Sequence, residues 1–96
     1  MATVQLRRYE LVPDELDAFV AWFPRIVPVR EKYGFRVLFA YLDREQNQFV
    51  WAVAHDGDFE AALEVYNASP ERAAVFADQP KRVAEMHLSY VEPLVG

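Results

Sequence analysis

Two segments in the middle of the chain are apolar on both faces when read as strands. Phe35 to Leu42 runs Phe-Arg-Val-Leu-Phe-Ala-Tyr-Leu, with Phe35, Val37, Phe39 and Tyr41 on one side and Leu38, Ala40 and Leu42 on the other. Phe49 to His55 repeats the arrangement: Phe49, Trp51, Val53 and His55 oppose the smaller Val50, Ala52 and Ala54. Successive strand side chains point to opposite faces, so each face needs its own cover. The helical segments elsewhere in the chain suffice for one layer. A layer on the small-residue side leaves an aromatic sheet face open to water, and an apolar patch of that size marks an interface or a ligand site. A second copy of the same sheet is the simplest cover.

The flanking segments supply the rest of a fold. Val4 to Leu11 reads as a strand, with Arg7 and Arg8 breaking the alternation and a bulge expected before Tyr9. Pro13 and Asp14 open a helix whose apolar stripe is Leu16, Phe19, Val20, Phe23, Ile26 and Val27. Pro24 and Pro28 interrupt it, and Tyr33-Gly34 closes it. Asp14, Glu15 and Asp17 at its start, and Arg30 and Lys32 at its end, complement the helix dipole. The polar turn from Asp43 to Asn47 joins the two central strands as a hairpin. Asp58 caps a helix faced by Phe59, Ala62, Leu63 and Tyr66, and Ser69-Pro70-Glu71 begins a shorter one. Val83 to Val91 is the last strand. The order β-α-β-β-α-β with an extra short helix is the ferredoxin-like α+β arrangement, read as a single domain over residues 1–96.

Composition narrows the partners. Ninety-six residues make one small core, which gains from oligomerising. A net charge of −5 opposes nucleic acid and anionic membranes. The aromatics of Phe49-Val50-Trp51 invite comparison with RNA-recognition domains, but the accompanying Lys/Arg-Gly pattern is missing. The absence of cysteine excludes disulfides, thiol nucleophiles and thiolate metal sites. The longest apolar run, Ala18 to Phe23, is too short for a bilayer, and no basic head precedes a long apolar stretch as in a secretory signal. A cytoplasmic protein is expected.

Tyr9, Leu11, Pro13 and Phe19, then Pro28-Val29-Arg30-Glu31-Lys32-Tyr33-Gly34, then Phe49-Val50-Trp51, then Ser69-Pro70 resemble the NIPSNAP family in order and spacing across nearly the whole chain. Departures are Ala52-Val53 and His55, where the family often has Leu-Arg and an aromatic, and Arg72, where it often has an aromatic. The resemblance implies a dimeric α/β barrel in which two ferredoxin-like sheets pack face to face. It implies little about chemistry, since related barrels include oxygenases, isomerases, haem-degrading enzymes and binding proteins.

Several residues are candidates for chemistry. His55 shares a strand face with Phe49, Trp51 and Val53 and is the candidate general base. Its plainer role is that of a strand-end histidine beside Asp56. His55 and His87 with Glu85 or Asp56 lack metal-ligand spacing on any one element, so neither metal nor haem is expected. Of Arg7 and Arg8 one must point inward, to grip a ligand carboxylate or phenolate or to pair with Glu10, Glu85 or Glu92. Arg8, Tyr9, Phe39, Tyr41 and Trp51 are the expected ligand contacts, around a cavity on the sheet face bearing Phe39, Tyr41, Trp51 and His55. Three functions follow: a homodimer binding a small apolar or aromatic ligand; a cofactor-independent monooxygenase or isomerase of an aromatic or polyketide-like substrate, with His55 as base; or an interaction module with a filled interior.

Overall fold

The computed structural model describes residues 2–95. In chain order its elements are β1 (Thr3–Leu11), α1 (Leu16–Trp22), a 3-10 turn (Phe23–Arg25), α2 (Val27–Lys32), β2 (Arg36–Asp43), β3 (Gln48–His55), α3 (Phe59–Asn67), α4 (Pro70–Phe76) and β4 (Val83–Val91). The strands form one antiparallel sheet in the order β2-β3-β1-β4, the ferredoxin-like arrangement.

Local chemistry sets the boundaries. Pro24 and Pro28 each lie in the first turn of a new helical piece, where a missing N–H breaks no hydrogen bond, so the first helical region becomes α1, the 3-10 turn and α2. It starts later than Pro13-Asp14: Asp14 occupies the left-handed region at φ 68° and α1 begins at Leu16. Gly34, at φ +89°, ends α2, and a Cβ there would lie 2.9 Å from His55 Nε2. The Asp58 carboxylate accepts from Ala61 N–H at 3.0 Å, and Ser69 Oγ accepts from Arg72 N–H at 3.2 Å, so both caps form as expected.

The sheet differs from expectation in three respects. No bulge precedes Tyr9: β1 stays in register with β3 from Thr3↔His55 to Glu10↔Gln48, and its one irregularity, against β4, falls between Glu10 and Leu11. Gln5, Arg7, Tyr9 and Leu11 therefore all face the helices. A bulge does occur in β2. Val37 opposes Val53 but Phe39 opposes Ala52, which leaves Leu38 unmatched and turns Phe39 and Tyr41 to the face away from Trp51. Finally, the helices cover the aromatic side of β3, with Phe49, Trp51 and Val53 at most 5% exposed. Each aromatic ring buries roughly 150–250 Å², at about 25 cal/mol per Å², so covering this side removes the larger apolar area from water. Ala52 and Ala54 on the open side are hidden within the sheet itself, Ala52 flanked by Leu6 and Phe39.

The core lies between the helices and the sheet. Phe19 of α1 meets Phe49 edge-on at 4.9 Å between centroids, Phe23 meets Trp51 at 5.0 Å, and Phe35 meets Phe59 at 5.2 Å.

Candidate functional site

That core is incompletely filled. A cavity of about 90 Å³ lies between β1, β3 and the helices, walled by aromatics including Phe19, Phe23, Trp51 and Tyr66. A recess of about 60 Å³ shares Phe19, Trp22, Phe76 and Val83 with it. The cavity meets the surface between α4 and β4, where its lining residues Phe76 and Met86 are exposed. Two ties hold α4 over it. The Trp22 indole N–H donates to the Val75 carbonyl at 3.1 Å, and Glu71 accepts from Lys32 and from the Tyr33 hydroxyl. The Lys32 and Tyr33 hydrogen bonds hold the Glu71 carboxyl down at about 2.

Three arginines line this cavity and no carboxylate does, among the described residues. Arg7, from β1, is satisfied by neutral groups: Nε donates to the Tyr9 hydroxyl at 2.8 Å and Nη1 to the Gln5 carbonyl oxygen at 2.6 Å. Arg30, from α2, is 3% exposed and packs on aromatic rings, 4.2 Å from the Tyr66 centroid and 5.2 Å from those of Trp51 and Phe35. Its Nε and Nη1 are buried with no hydrogen-bond partner among the described residues, as are Trp51 Nε1 and Arg72 Nε. Burial pushes the Arg30 guanidinium down to about 10; the Tyr66 phenol opposes that, and the like charge of Arg7 adds to it. It remains a cation at neutral pH. The site is thus an aromatic chamber carrying buried, unanswered hydrogen-bond donors, inside a chain of net charge −5.

The structure divides the residues singled out from sequence. Tyr9 and Trp51 line the cavity. Arg8 alternates with the buried Arg7 and is exposed on the open face, so Arg7 is the inward member of the pair. Phe39 and Tyr41 stack on each other at 5.3 Å on the open face, Tyr41 being 68% exposed, and do not meet Trp51. His55 sits at the end of β3 outside the cavity lining, against the Phe35 ring at 5.1 Å. Its Nδ1 accepts from Gly57 N–H at 2.9 Å, which leaves the Nε2 position to carry the proton of the neutral ring.

His87 lies on the opposite face from His55, so the two histidines do not converge. His87 instead joins Glu10 and Glu85, with Nε2 2.7 Å from Glu10 Oε2 and 3.7 Å from Glu85 Oε2. Hydrogen bonding to His87, then to Glu85, lowers the Glu10 carboxyl below its ordinary range. This is the one group with metal-ligand spacing among the described residues. It lies open to solvent, and the hydrogen bond between His87 and Glu10 across β1 and β4 accounts for it.

Arg30 was missed as a site residue because helix-end charge gave it a sufficient explanation. Lys32 fits that explanation, being exposed and paired with Glu71. Arg30 does not, and a signal was present: Phe19, Phe23, Ile26 and Arg30 follow one another at spacings of four, three and four, which puts a cation on the apolar stripe. Arg72 likewise stands where the NIPSNAP resemblance expects an aromatic.

No protein-family model matches this sequence, and no curated protein matches it. Solved structures resemble it over nearly the whole chain. A structure of an uncharacterised NIPSNAP domain protein from Burkholderia xenovorans aligns with a TM-score of 0.80 at 18% identity, covering 97% of this chain and 94% of that one. A NIPSNAP family protein of unknown function from Agrobacterium tumefaciens gives 0.84 at 11% identity, covering 96% and 87%. A candidate antibiotic biosynthesis monooxygenase from Bacteroides thetaiotaomicron gives 0.76 at 23% identity, covering 98% and 90%. At these identities the likeness establishes the fold, and the NIPSNAP resemblance read from the sequence is met at that level. No helix among the described residues is long and apolar enough to cross a membrane.

Proposed function

We propose that this protein is a homodimer in which each protomer binds a small, largely aromatic ligand in the chamber between helices and sheet. The observation that carries the ligand reading is the chamber itself: space beside Trp51 and Tyr66 that communicates with the surface and holds buried donors without partners. Its location differs from the one read from sequence, since Phe39 and Tyr41 lie on the other face. The dimer reading rests on that other face. Tyr41, Leu38 and Val91 are exposed there or at its edge, and Arg8 lies near Glu10, so the patch carries both charge signs and suits pairing with its own copy.

A thermal-shift screen of phenols, quinones and aromatic acids tests the ligand. A stabilising compound should raise the melting temperature with concentration and should lose its effect when the chamber is filled by Ile26→Phe. A screen without a stabilising member removes the ligand reading and leaves the interaction module. Light scattering tests the assembly, with a dimer expected at micromolar concentration and a cooperative monomer opposing it.

The second reading, a cofactor-independent monooxygenase or isomerase, draws support from likeness to the candidate monooxygenase fold. The Tyr9 phenol, hydrogen-bonded to Arg7 Nε at 2.8 Å, is a hydroxyl on the chamber wall that such a reaction would use. Oxygen consumption or substrate isomerisation with a stabilising compound distinguishes this reading from simple binding.

A further inference from the structure

The donors in the chamber are all of one kind. Arg30 Nε and Nη1, Arg72 Nε and Trp51 Nε1 are N–H groups, buried and unpartnered, and none of them can accept a hydrogen bond. Arg30 and Arg72 both lie near the Tyr66 ring, at 4.2 and 5.7 Å from its centroid, Arg72 lies nearer still to Phe76 at 4.4 Å, and Arg30 lies 5.2 Å from the Trp51 ring; Arg30, Arg72 and Trp51 all line the chamber. Arg7, Arg30 and Arg72 take part in none of the ion pairs among the described residues, whose carboxylates are directed to surface cations and to His87.

Burying a cation without a counter-charge opposes folding, and its neighbours here compensate only in part. Stacking on Tyr66, Trp51 and Phe35 favours the guanidinium through the ring quadrupoles but leaves its Nε and Nη1 without an acceptor. Arg7, a like charge nearby, works against it. What would satisfy the site is an acceptor-only group of negative charge that fits the chamber of about 90 Å³, attached to an apolar body that can lie along the aromatic walls into the adjoining recess of about 60 Å³.

We infer that the chamber selects an organic monoanion, an aromatic or short aliphatic carboxylate whose carboxylate is held by Arg30 and the Trp51 indole N–H while its body extends past Phe19 toward the recess beside Phe76. Charge-assisted hydrogen bonds are about twice as strong as neutral ones, and a carboxylate accepts without bringing a donor that the site could not answer. This inference rests on the chamber being a ligand site and adds the chemical class of the ligand.

Benzoate and its neutral isostere benzamide separate the two claims. On the whole protein, benzoate is expected to bind about tenfold or more tightly than benzamide, read as concentration-dependent thermal shift and by titration. Arg30→Met should weaken benzoate far more than benzamide and so collapse that ratio. If benzamide binds as well as benzoate and Arg30→Met changes neither, the chamber stands as a ligand site and the anion assignment is overturned. If neither compound shifts the melting temperature or any indole signal, the ligand reading falls with it.

Should Arg30→Met fail to fold, the wild-type protein still decides the matter by NMR. The Trp22 indole N–H, bonded to the Val75 carbonyl, lies on the wall of the same chamber and recess and so reports any occupant, benzoate or benzamide alike. The Trp51 indole N–H should move on addition of benzoate and move much less with benzamide. Equal movement with both compounds refutes the anion assignment. Trp51→Phe, which removes that N–H and keeps an aromatic wall, should weaken benzoate more than benzamide.

Discussion

The two faces of the one sheet solve different problems. The helix-covered face buries Tyr9, Phe49, Trp51 and Val53 and then places Arg7 and Arg30 among them. The open face is built from small residues along β3, stacked Phe39 and Tyr41 toward one edge, and the Glu10, Glu85 and His87 cluster toward the other. On the covered face every mismatch is expensive, so unpartnered polar atoms there point to something missing. On the open face water answers charges, so an ion cluster carries no such message. Its informative feature is the exposed aromatic surface. The contrast teaches that charge in this molecule is diagnostic where it is buried and apolar area where it is exposed.

Removing a ring from each face should break or confirm this contrast most strongly. Phe19, 1% exposed and edge-on to Phe49, should cost about 3–5 kcal/mol when replaced by alanine, read from the urea midpoint. Tyr41→Ala should stay within about 0.5 kcal/mol at high dilution. At high protein concentration it should cost visibly more if a second copy covers that face, because dimerisation then contributes to the measured stability. A concentration-independent Tyr41→Ala effect removes the open face as the dimer surface.

A smaller effect tests the join between faces. Gly34→Ala places a Cβ 2.9 Å from His55 Nε2 at a φ of +89°, both unfavourable. It should destabilise by about 1–3 kcal/mol, with the His55 ring displaced in its NMR signals. If stability is unchanged, His55 is free to move and is not held as a packing group beside Phe35.

The smallest expected effect concerns pH. The Glu71 carboxyl ordinarily titrates near 4.5 and is held at about 2 by Lys32 and Tyr33. A depressed carboxyl stabilises the fold above its ordinary value and loses that contribution as pH falls toward the folded value. Wild type should therefore lose melting temperature more steeply than Glu71→Gln between about pH 4.5 and 2, by a few degrees at most because the group is partly open to solvent. Parallel curves would mean that this clamp on α4 contributes nothing measurable. Raising the salt concentration should shrink the difference further.

What was legible in the sequence was local. Asp58 and Ser69 offered caps, Pro24 and Pro28 offered breaks and Gly34 offered a terminus, and each acts through atoms within a few residues. From these and from apolar periodicity the element order and the ferredoxin-like topology follow. The inward turn of one arginine of the Arg7-Arg8 pair was also implied, since strand alternation permits no other arrangement.

The tertiary structure alone decided which face is covered. Period-two alternation separates the two sides of β2 and β3 but cannot rank them when both are apolar, because the ranking depends on total area and on the shapes of helices distant in sequence. The Leu38 bulge is equally silent in an all-apolar strand, yet it moves Phe39 and Tyr41 to the other face. The cation site needed the same global information. Arg7, Arg30 and Arg72 come from three separate elements, and only packing α2 and α4 over β1 and β3 brings their donors around one chamber with no carboxylate to meet them.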